Sequence, residues 1–177
     1  MSTEPFVVHV AQLRRVTGST RRETRKGRVD PHEGMGAPGP GDSLIPEGEL
    51  VTCDVELQSF PGGVMARGTV TTSWSGACRR CTRPVRGELR IDVRERFVDP
   101  EMLAGDEEAY PIVEDRLNLE PMVHDAVVLE LPTAPLCRED CRGLCPRCGT
   151  DRNRDACDCA APRDPRWASL DVLRSAP

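Results

Sequence analysis

The sequence predicts an α+β protein: an antiparallel β meander or small barrel with one main helix and a cysteine-rich zinc ribbon on its C-terminal side. Three observations predict it. Apolar residues alternate with polar ones from Val51 to Phe97, a period of two that marks half-buried strands. A single stripe at Leu119, Met122, Val123, Ala126 and Val127 has helical spacing. Eight of the nine cysteines fall in short-spaced pairs, and seven of the nine lie after residue 80.

Taken in order, Phe6-Val7-Val8-His9-Val10 reads as an edge strand. A basic run follows, with Arg14, Arg15, Arg21, Arg22, Arg25, Lys26 and Arg28 among Thr, Ser and Gly. It reads either as a solvated lead-in or as an arm that contacts phosphate. Residues 31–48 contain five Gly and four Pro, the composition of a loop or linker. The first strand of the meander carries Val51, Cys53, Val55 and Leu57 on one face, which places Cys53 in the core. Phe60-Pro-Gly-Gly63 then supplies a hairpin turn.

On the second strand, Val64, Ala66, Gly68, Val70, Thr72 and Trp74 share a face. Cys78-Arg-Arg-Cys81 reverses the chain, and the third strand carries Val85, Leu89, Ile91, Val93 and Phe97. An acidic loop is expected over 99–111. Next comes the helix, with Asn118 as its cap, Pro121 in its first turn and Pro132 forcing its end after Leu131. His124 falls on its polar face. A short C-terminal helix is expected from Asp164-Pro165, with Trp167, Leu170 and Leu173 on one stripe. The expected division is a basic arm and Gly/Pro-rich linker over 1–48, a β-rich core with helix over 49–136, and a zinc ribbon with terminal helix over 137–177.

A length of 177 residues suits one domain with appendages, and six aromatic residues indicate a modest core that a metal would reinforce. The net charge of −5 is unevenly spread. Residues 1–30 hold seven basic and three acidic residues, whereas 99–131 hold ten acidic residues against Arg116 alone. A uniformly basic nucleic-acid binder is excluded by that balance, so any such contact must be local. The acidic stretch faces solvent or a basic partner.

The cysteine order is Cys78/Cys81, Cys137/Cys141, Cys145/Cys148 and Cys157/Cys159, with Cys53 apart. Each short spacing presents two thiolates on a tight turn, and two pairs complete a tetrahedral zinc shell. Cys145-Pro-Arg-Cys148-Gly149 has the form of a zinc knuckle, and Cys157-Asp-Cys159 adds two thiolates eight to ten residues later. The remaining four would tie the meander to the segment after the helix. Spacing alone equally permits Cys78/Cys81 to join Cys145/Cys148, and one or two structural zinc ions. Disulfides would need an oxidising compartment, and the N-terminal residues show no secretory signal. With no apolar run long enough to cross a membrane, a cytoplasmic protein with reduced thiols and no membrane partner is expected.

Catalysis finds little support. His9, His32 and His124 lie far apart, and no nucleophile elbow, phosphate loop or HExxH pattern occurs. All-cysteine zinc sites are closed and structural. The alternatives are a thiol or zinc-dependent redox enzyme, which would want a CxxC thiolate at a helix N-terminus, and a zinc-ribbon DNA-binding regulator, which a sequence pI of about 5.3 disfavours. Arginines cluster around both cysteine regions. Arg79, Arg80 and Arg83 are the candidate RNA contacts at the first turn, and Arg138, Arg142, Arg147, Arg152 and Arg154 flank the second.

Four stretches carry a family likeness: Gly76-Ala-Cys78-Arg-Arg-Cys81-Thr-Arg-Pro-Val85, Leu129-Glu-Leu-Pro132-Thr-Ala-Pro-Leu136-Cys137, Cys141-Arg-Gly-Leu-Cys145-Pro-Arg-Cys148-Gly149 and Asp164-Pro-Arg-Trp167. Together they resemble the YceD-type large ribosomal RNA subunit accumulation proteins. The resemblance implies a cytoplasmic, non-enzymatic protein needed for 23S rRNA to accumulate, and hence a role in 50S assembly. The arginine patches and the acidic stretch make rRNA, a pre-50S particle or a basic ribosomal protein the expected partner. Relatives that keep the first CxxC without the distal knuckle imply that the two metal sites are separable.

Overall fold

The structure, a computed structural model, describes residues 5–28, 43–103, 108–160 and Arg166. Its elements are β1 (Val7–His9), α1 (Ala11–Arg14), β2 (Thr20–Arg28), β3 (Ser43–Leu44), β4 (Leu50–Phe60), β5 (Gly63–Ala77), β6 (Pro84–Val98), α2 (Pro100–Leu103), β7 (Tyr110–Val113), β8 (Arg116–Asn118) and α3 (Glu120–Glu130). The protein is mostly β, a curled half-barrel sheet with few helices. Strands follow the order β1-β8-β7-β6-β5-β4-β2, with β3 pairing β5 off that path.

The meander is β4-β5-β6, antiparallel throughout. Period-two alternation produces it: Val51, Cys53, Val55 and Leu57 of β4, and Val64, Ala66, Val70 and Trp74 of β5, are buried. On β6 the same face carries Ile91, Val93 and Phe97. α3 closes this face with Met122, Val123 and Val127, all at most 1% exposed. Phe97 also stacks on Tyr110, with ring centroids 5.3 Å apart. Full burial of Phe97 or Leu57 contributes about 1.5–3 kcal/mol each.

Asn118 sits at the end of β8 and its side-chain oxygen accepts the Glu120 amide at 3.0 Å, so it turns the chain into α3. Leu119 is the N-cap position, and the helix stops at Leu131 because Pro132 cannot continue it.

The basic run after residue 14 is not a solvated lead-in but part of the sheet. Thr20–Arg28 is a strand paired to β4 over nine residues. Its inward face carries Arg21, Glu23 and Arg25, and Glu23 takes Arg21 at 2.8 Å and Arg25 at 3.0 Å. Outward, Arg22 pairs with Asp54 at 2.6 Å. Inward charges on a terminal strand discourage pairing with another chain. Composition hides such a strand because both of its faces carry charged residues, so no apolar–polar alternation marks it. The sheet does not close into a barrel by a ladder between β1 and β2. Side chains bridge those ends: the Phe6 ring lies on Gly27, and Arg21 Nη2 donates to the His9 carbonyl at 2.7 Å.

Part of the linker is also built in. Ser43 and Leu44 extend along β5 opposite Gly76 and Ser75, Ile45 is 1% exposed, and Ser43 Oγ donates to the Pro132 carbonyl at 2.6 Å. The expected acidic loop contains α2 and the start of β7, which runs parallel to β6 at Phe97 and Val98. Asp99 and Asp115 from the acidic stretch both bind Arg14, at 2.6 and 2.7 Å. The expected C-terminal helix lies outside the described residues. Over 132–160 the chain makes turns and one isolated bridge, Leu144 to Asp151.

Candidate metal centres

The β5–β6 ladder ends at Ala77 opposite Pro84, and residues 78–83 form the turn between them. Cys78 donates its amide to the Arg83 carbonyl at 2.7 Å, and Thr82 returns its amide to the Cys78 carbonyl at 2.8 Å. Thr82 adopts φ 58°, and its hydroxyl donates to the Cys81 carbonyl at 2.8 Å. This geometry turns Cys78 and Cys81 to one side. After α3, the chain docks on the same turn through the Arg79 amide to the Pro135 carbonyl, 2.9 Å. That contact brings Cys137 and Cys141 over the first pair.

The sulfurs of Cys78, Cys81, Cys137 and Cys141 lie within 4.8 Å of one another. Cys78 to Cys141 is 3.8 Å and Cys81 to Cys137 is 3.6 Å. A disulfide needs about 2.05 Å. Four thiolates about 2.3 Å from a tetrahedral zinc stand about 3.8 Å apart, so the spacing fits a zinc shell. Cys78, Cys81 and Cys141 are at most 4% exposed, and Val85 and Leu136 pack against the group.

A second group gathers Cys145, Cys148, Cys157 and Cys159, again within 4.8 Å. Cys145 and Thr150 form a tight turn, with the Cys145 amide on the Thr150 carbonyl at 2.8 Å and the Gly149 amide on the Cys145 carbonyl at 2.9 Å. The Thr150 hydroxyl lies 3.1 Å from Cys148 Sγ. Cys145 is buried, whereas Cys148 and Cys159 are exposed. The two groups use all eight paired cysteines, and Cys78 and Cys81 lie with Cys137 and Cys141. Cys53 belongs to neither: it is fully buried in the core, and burial pushes its thiol up to about 12.

Electrostatics favour anionic sulfur at part of each group. Burial acts to raise Cys78, but the amides of Cys137, Arg80 and Cys81 outweigh it and bring the thiol down to about 6. Cys145 is also lowered to about 6, chiefly by the amides of Cys148 and Arg147. Crowding acts the other way on their neighbours. Cys137 is pushed up to about 12 by burial and by the adjoining thiols, and Cys159 to about 12 by Cys148 and burial. Four sulfurs this close cannot all ionise alone. A bound dication would remove that penalty and displace the remaining protons.

Residues that sequence reasoning missed hold the first group in place. Asn153 Nδ2 donates to Cys141 Sγ at 3.5 Å and to Asp151 Oδ1 at 2.7 Å. Its Oδ1 accepts the Arg142 amide at 2.8 Å and Arg138 Nη2 at 2.9 Å. The signal lay in Asp151-Arg-Asn153, an Asx-turn pattern just after the knuckle, with the Asn153 amide on Asp151 Oδ1 at 3.0 Å. Gly143 approaches the first turn closely: it adopts φ 71°, and a β-carbon there would meet the Arg80 carbonyl at 2.7 Å.

The three candidate RNA arginines divide. Arg80 Nη1 donates to the carbonyls of Glu139 and Cys141 at 3.1 and 2.9 Å, lacing the two halves of the first group together. Arg83 Nη2 binds Asp151 Oδ2 at 2.7 Å. Arg79 is exposed, and its guanidinium makes no hydrogen bond or ion pair among the described residues.

Relatives among known proteins are similar to most of this chain. A protein of Mycobacterium tuberculosis is 38% identical over 130 residues, covering 71% of this chain and 63% of the relative. A protein of Mycobacterium leprae is 32% identical over 131 residues, covering 72% of this chain and 60% of the relative. Both are described as uncharacterised, and the chain spans less than two thirds of the length of each. No solved structure matches. The model of the family described as large ribosomal RNA subunit accumulation protein YceD matches residues 66–174, a span that contains all eight clustered cysteines and all of β6 and α3. The chain belongs to the YceD family of large ribosomal RNA subunit accumulation proteins.

Proposed function

We propose that this protein is a non-enzymatic zinc-binding factor that supports 23S rRNA accumulation and 50S assembly in the cytoplasm. One observation carries the reading: two groups of four cysteines, each with its sulfurs within 4.8 Å of one another, in a chain of this family. Cys78, Cys81, Cys137 and Cys141 hold one structural zinc, and Cys145, Cys148, Cys157 and Cys159 hold the second within a small C-terminal ribbon. Among the described residues neither group includes a histidine or carboxylate, the ligands that catalytic zinc uses. Bound zinc supplies structure here, and the protein's own arginines supply the contacts. At the first turn Arg79 faces rRNA, while Arg80 and Arg83 keep the turn rigid beneath it.

Among the described residues, no helix is long and apolar enough to cross a membrane. The acidic stretch offers a surface for a basic ribosomal protein, although Asp99 and Asp115 are already paired with Arg14. The test is sedimentation of lysate with and without RNase, with zinc content measured on the purified chain. Comigration with pre-50S particles and two zinc ions per chain are expected. A chain that stays at the top of the gradient in both arms, or binds no zinc, refutes the reading.

A further inference from the structure

Between the two cysteine groups the chain forms a polar hollow of about 450 Å³, walled by Arg142, Arg152, Asn153, Arg154, Asp155 and Cys157. Three guanidinium side chains meet a single carboxylate there, in a chain whose net charge is −5. Among the described residues, the Arg142 and Arg152 side chains make no hydrogen bond or ion pair, and Arg154 reaches Asp151 only at 3.9 Å. All three are exposed. Their backbone, by contrast, is fixed. The Arg152 amide donates to the Gly143 carbonyl at 3.0 Å, and the Arg154 and Asp155 amides converge on the Asp151 carbonyl at 2.9 and 3.0 Å. Asn153 locks the Arg142 amide at 2.8 Å. Rigid main chain beneath uncommitted guanidiniums is preorganised for an anion, because little backbone entropy is lost on binding.

We propose that this hollow is an RNA phosphodiester site, a contact separate from Arg79 that rests on the rRNA-linked function proposed above. The guanidinium fork matches phosphate oxygens two at a time, and the hollow is large enough for a phosphate with its flanking sugars. Both cysteine groups shape it. Asn153 reaches Cys141 Sγ of the first, and Cys157 of the second forms part of the wall. The site therefore exists only when both halves are organised, which couples metal loading to RNA contact.

The test uses the zinc-loaded full chain, a mixed-sequence single-stranded RNA oligonucleotide and a salt series, with inorganic phosphate as competitor. The Arg142→Gln/Arg152→Gln/Arg154→Gln variant should keep the parent's zinc content and bind RNA roughly tenfold or more weakly, since a charge-assisted hydrogen bond is worth about that much. Its log–log salt slope should flatten by about 0.7 for each phosphate that the variant no longer neutralises. Arg152→Gln alone should shift both readouts the same way by less, which covers any folding defect of the triple variant. Removing equal charge from the outer sheet face, in Arg67→Gln/Arg90→Gln/Arg94→Gln, should leave affinity within about twofold if the contact is local and not a diffuse field.

Equal weakening by the two triple variants overturns the site in favour of diffuse charge. Parent-like binding by the hollow variant overturns it while leaving the proposed function intact. A parent that comigrates with pre-50S particles yet binds no RNA also overturns it, and the family role then runs through protein. Capture of inorganic phosphate at millimolar levels without RNA binding identifies a free-anion site and overturns the RNA assignment.

Discussion

The two cysteine groups share a ligand set and differ in what they fasten. The first joins a turn of the sheet to a segment that returns only after β6, the acidic stretch and α3. Three of its four sulfurs are buried, and apolar side chains pack against it. The second draws its ligands from one stretch, 145–159, and two of its four cysteines are exposed. Closing a loop of sixty-odd residues costs more chain entropy than closing one of fifteen. Sulfur chemistry alone is therefore a poor guide to how much a metal stabilises. Position in the topology decides it.

The largest effect should come from breaking the first group. Cys141→Ser removes one ligand and the sulfur that accepts Asn153 Nδ2, and so loosens the docking of 132–160 on the sheet. Native mass spectrometry should show one zinc ion per chain where the parent has two. The melting midpoint should fall by about 10 °C or more, because several kcal/mol of metal-linked folding energy disappear in a chain of this size. A midpoint unchanged within error would show that the first group is not a staple.

Two glycines next sharpen the contrast at equal backbone demand. Gly143 and Gly149 adopt φ 71° and 73°. At Gly149 a β-carbon would meet nothing within 4 Å, whereas at Gly143 it meets the Arg80 carbonyl. Gly149→Ala should therefore cost only the left-handed backbone penalty, about 1 kcal/mol. Gly143→Ala should cost about 2–3 kcal/mol, because the two halves of the first group must also move apart. Urea unfolding of both variants measures the difference, and equal midpoints would remove the argument for tight apposition.

Cys148→Ser tests the other side. It should lower zinc content to one ion per chain and expose 145–159 to protease, yet move the melting midpoint by less than about 3 °C. A drop as large as that of Cys141→Ser would mean that the two groups form one cooperative unit.

How much of this was legible beforehand follows the same division. The meander was readable because half-buried antiparallel strands write a period of two into the sequence, and Val51 to Phe97 keeps it with few breaks. α3 was readable from its stripe and Pro132, although its N-cap position is Leu119 and not Asn118. β2 was not, since its inward positions are Arg21, Glu23 and Arg25, whose mutual pairing stands in for apolar contact. β7 and β8 were hidden by their shortness and by a turn at Glu114 and Asp115, both at positive φ without the glycine that usually announces one. Cysteine spacing marked all eight clustered residues. It could not choose partners for Cys78 and Cys81, because that choice depends on where α3 delivers the chain. Asn153 escaped notice, and Arg80 was read only as an RNA contact, for the same reason: what they hold is set by tertiary proximity.

The smallest effect should come from Glu95, in the sheet and away from both cysteine groups. Glu95 lies on the same β6 face as Val93 and Phe97, partly buried, and burial raises its carboxyl above the usual range. Glu108 raises it further, Arg96 opposes the shift, and Asp125 adds a smaller increase. An acid whose folded-state pKa exceeds its unfolded value binds its proton more tightly when folded, so its charged form destabilises the fold. The penalty is present at pH above the folded-state pKa. It disappears as pH falls below the unfolded value of about 4.3. Glu95→Gln should accordingly raise the melting midpoint slightly at pH 7 and leave it unchanged near pH 4. Zinc content should not move in either case, because no ligand or ligand-holding residue is touched. A variant that is less stable than the parent at pH 7 would show that Glu95 makes a favourable contact as an anion, and the pressure for that charge would then lie in the acidic surface around Glu108 and Asp125.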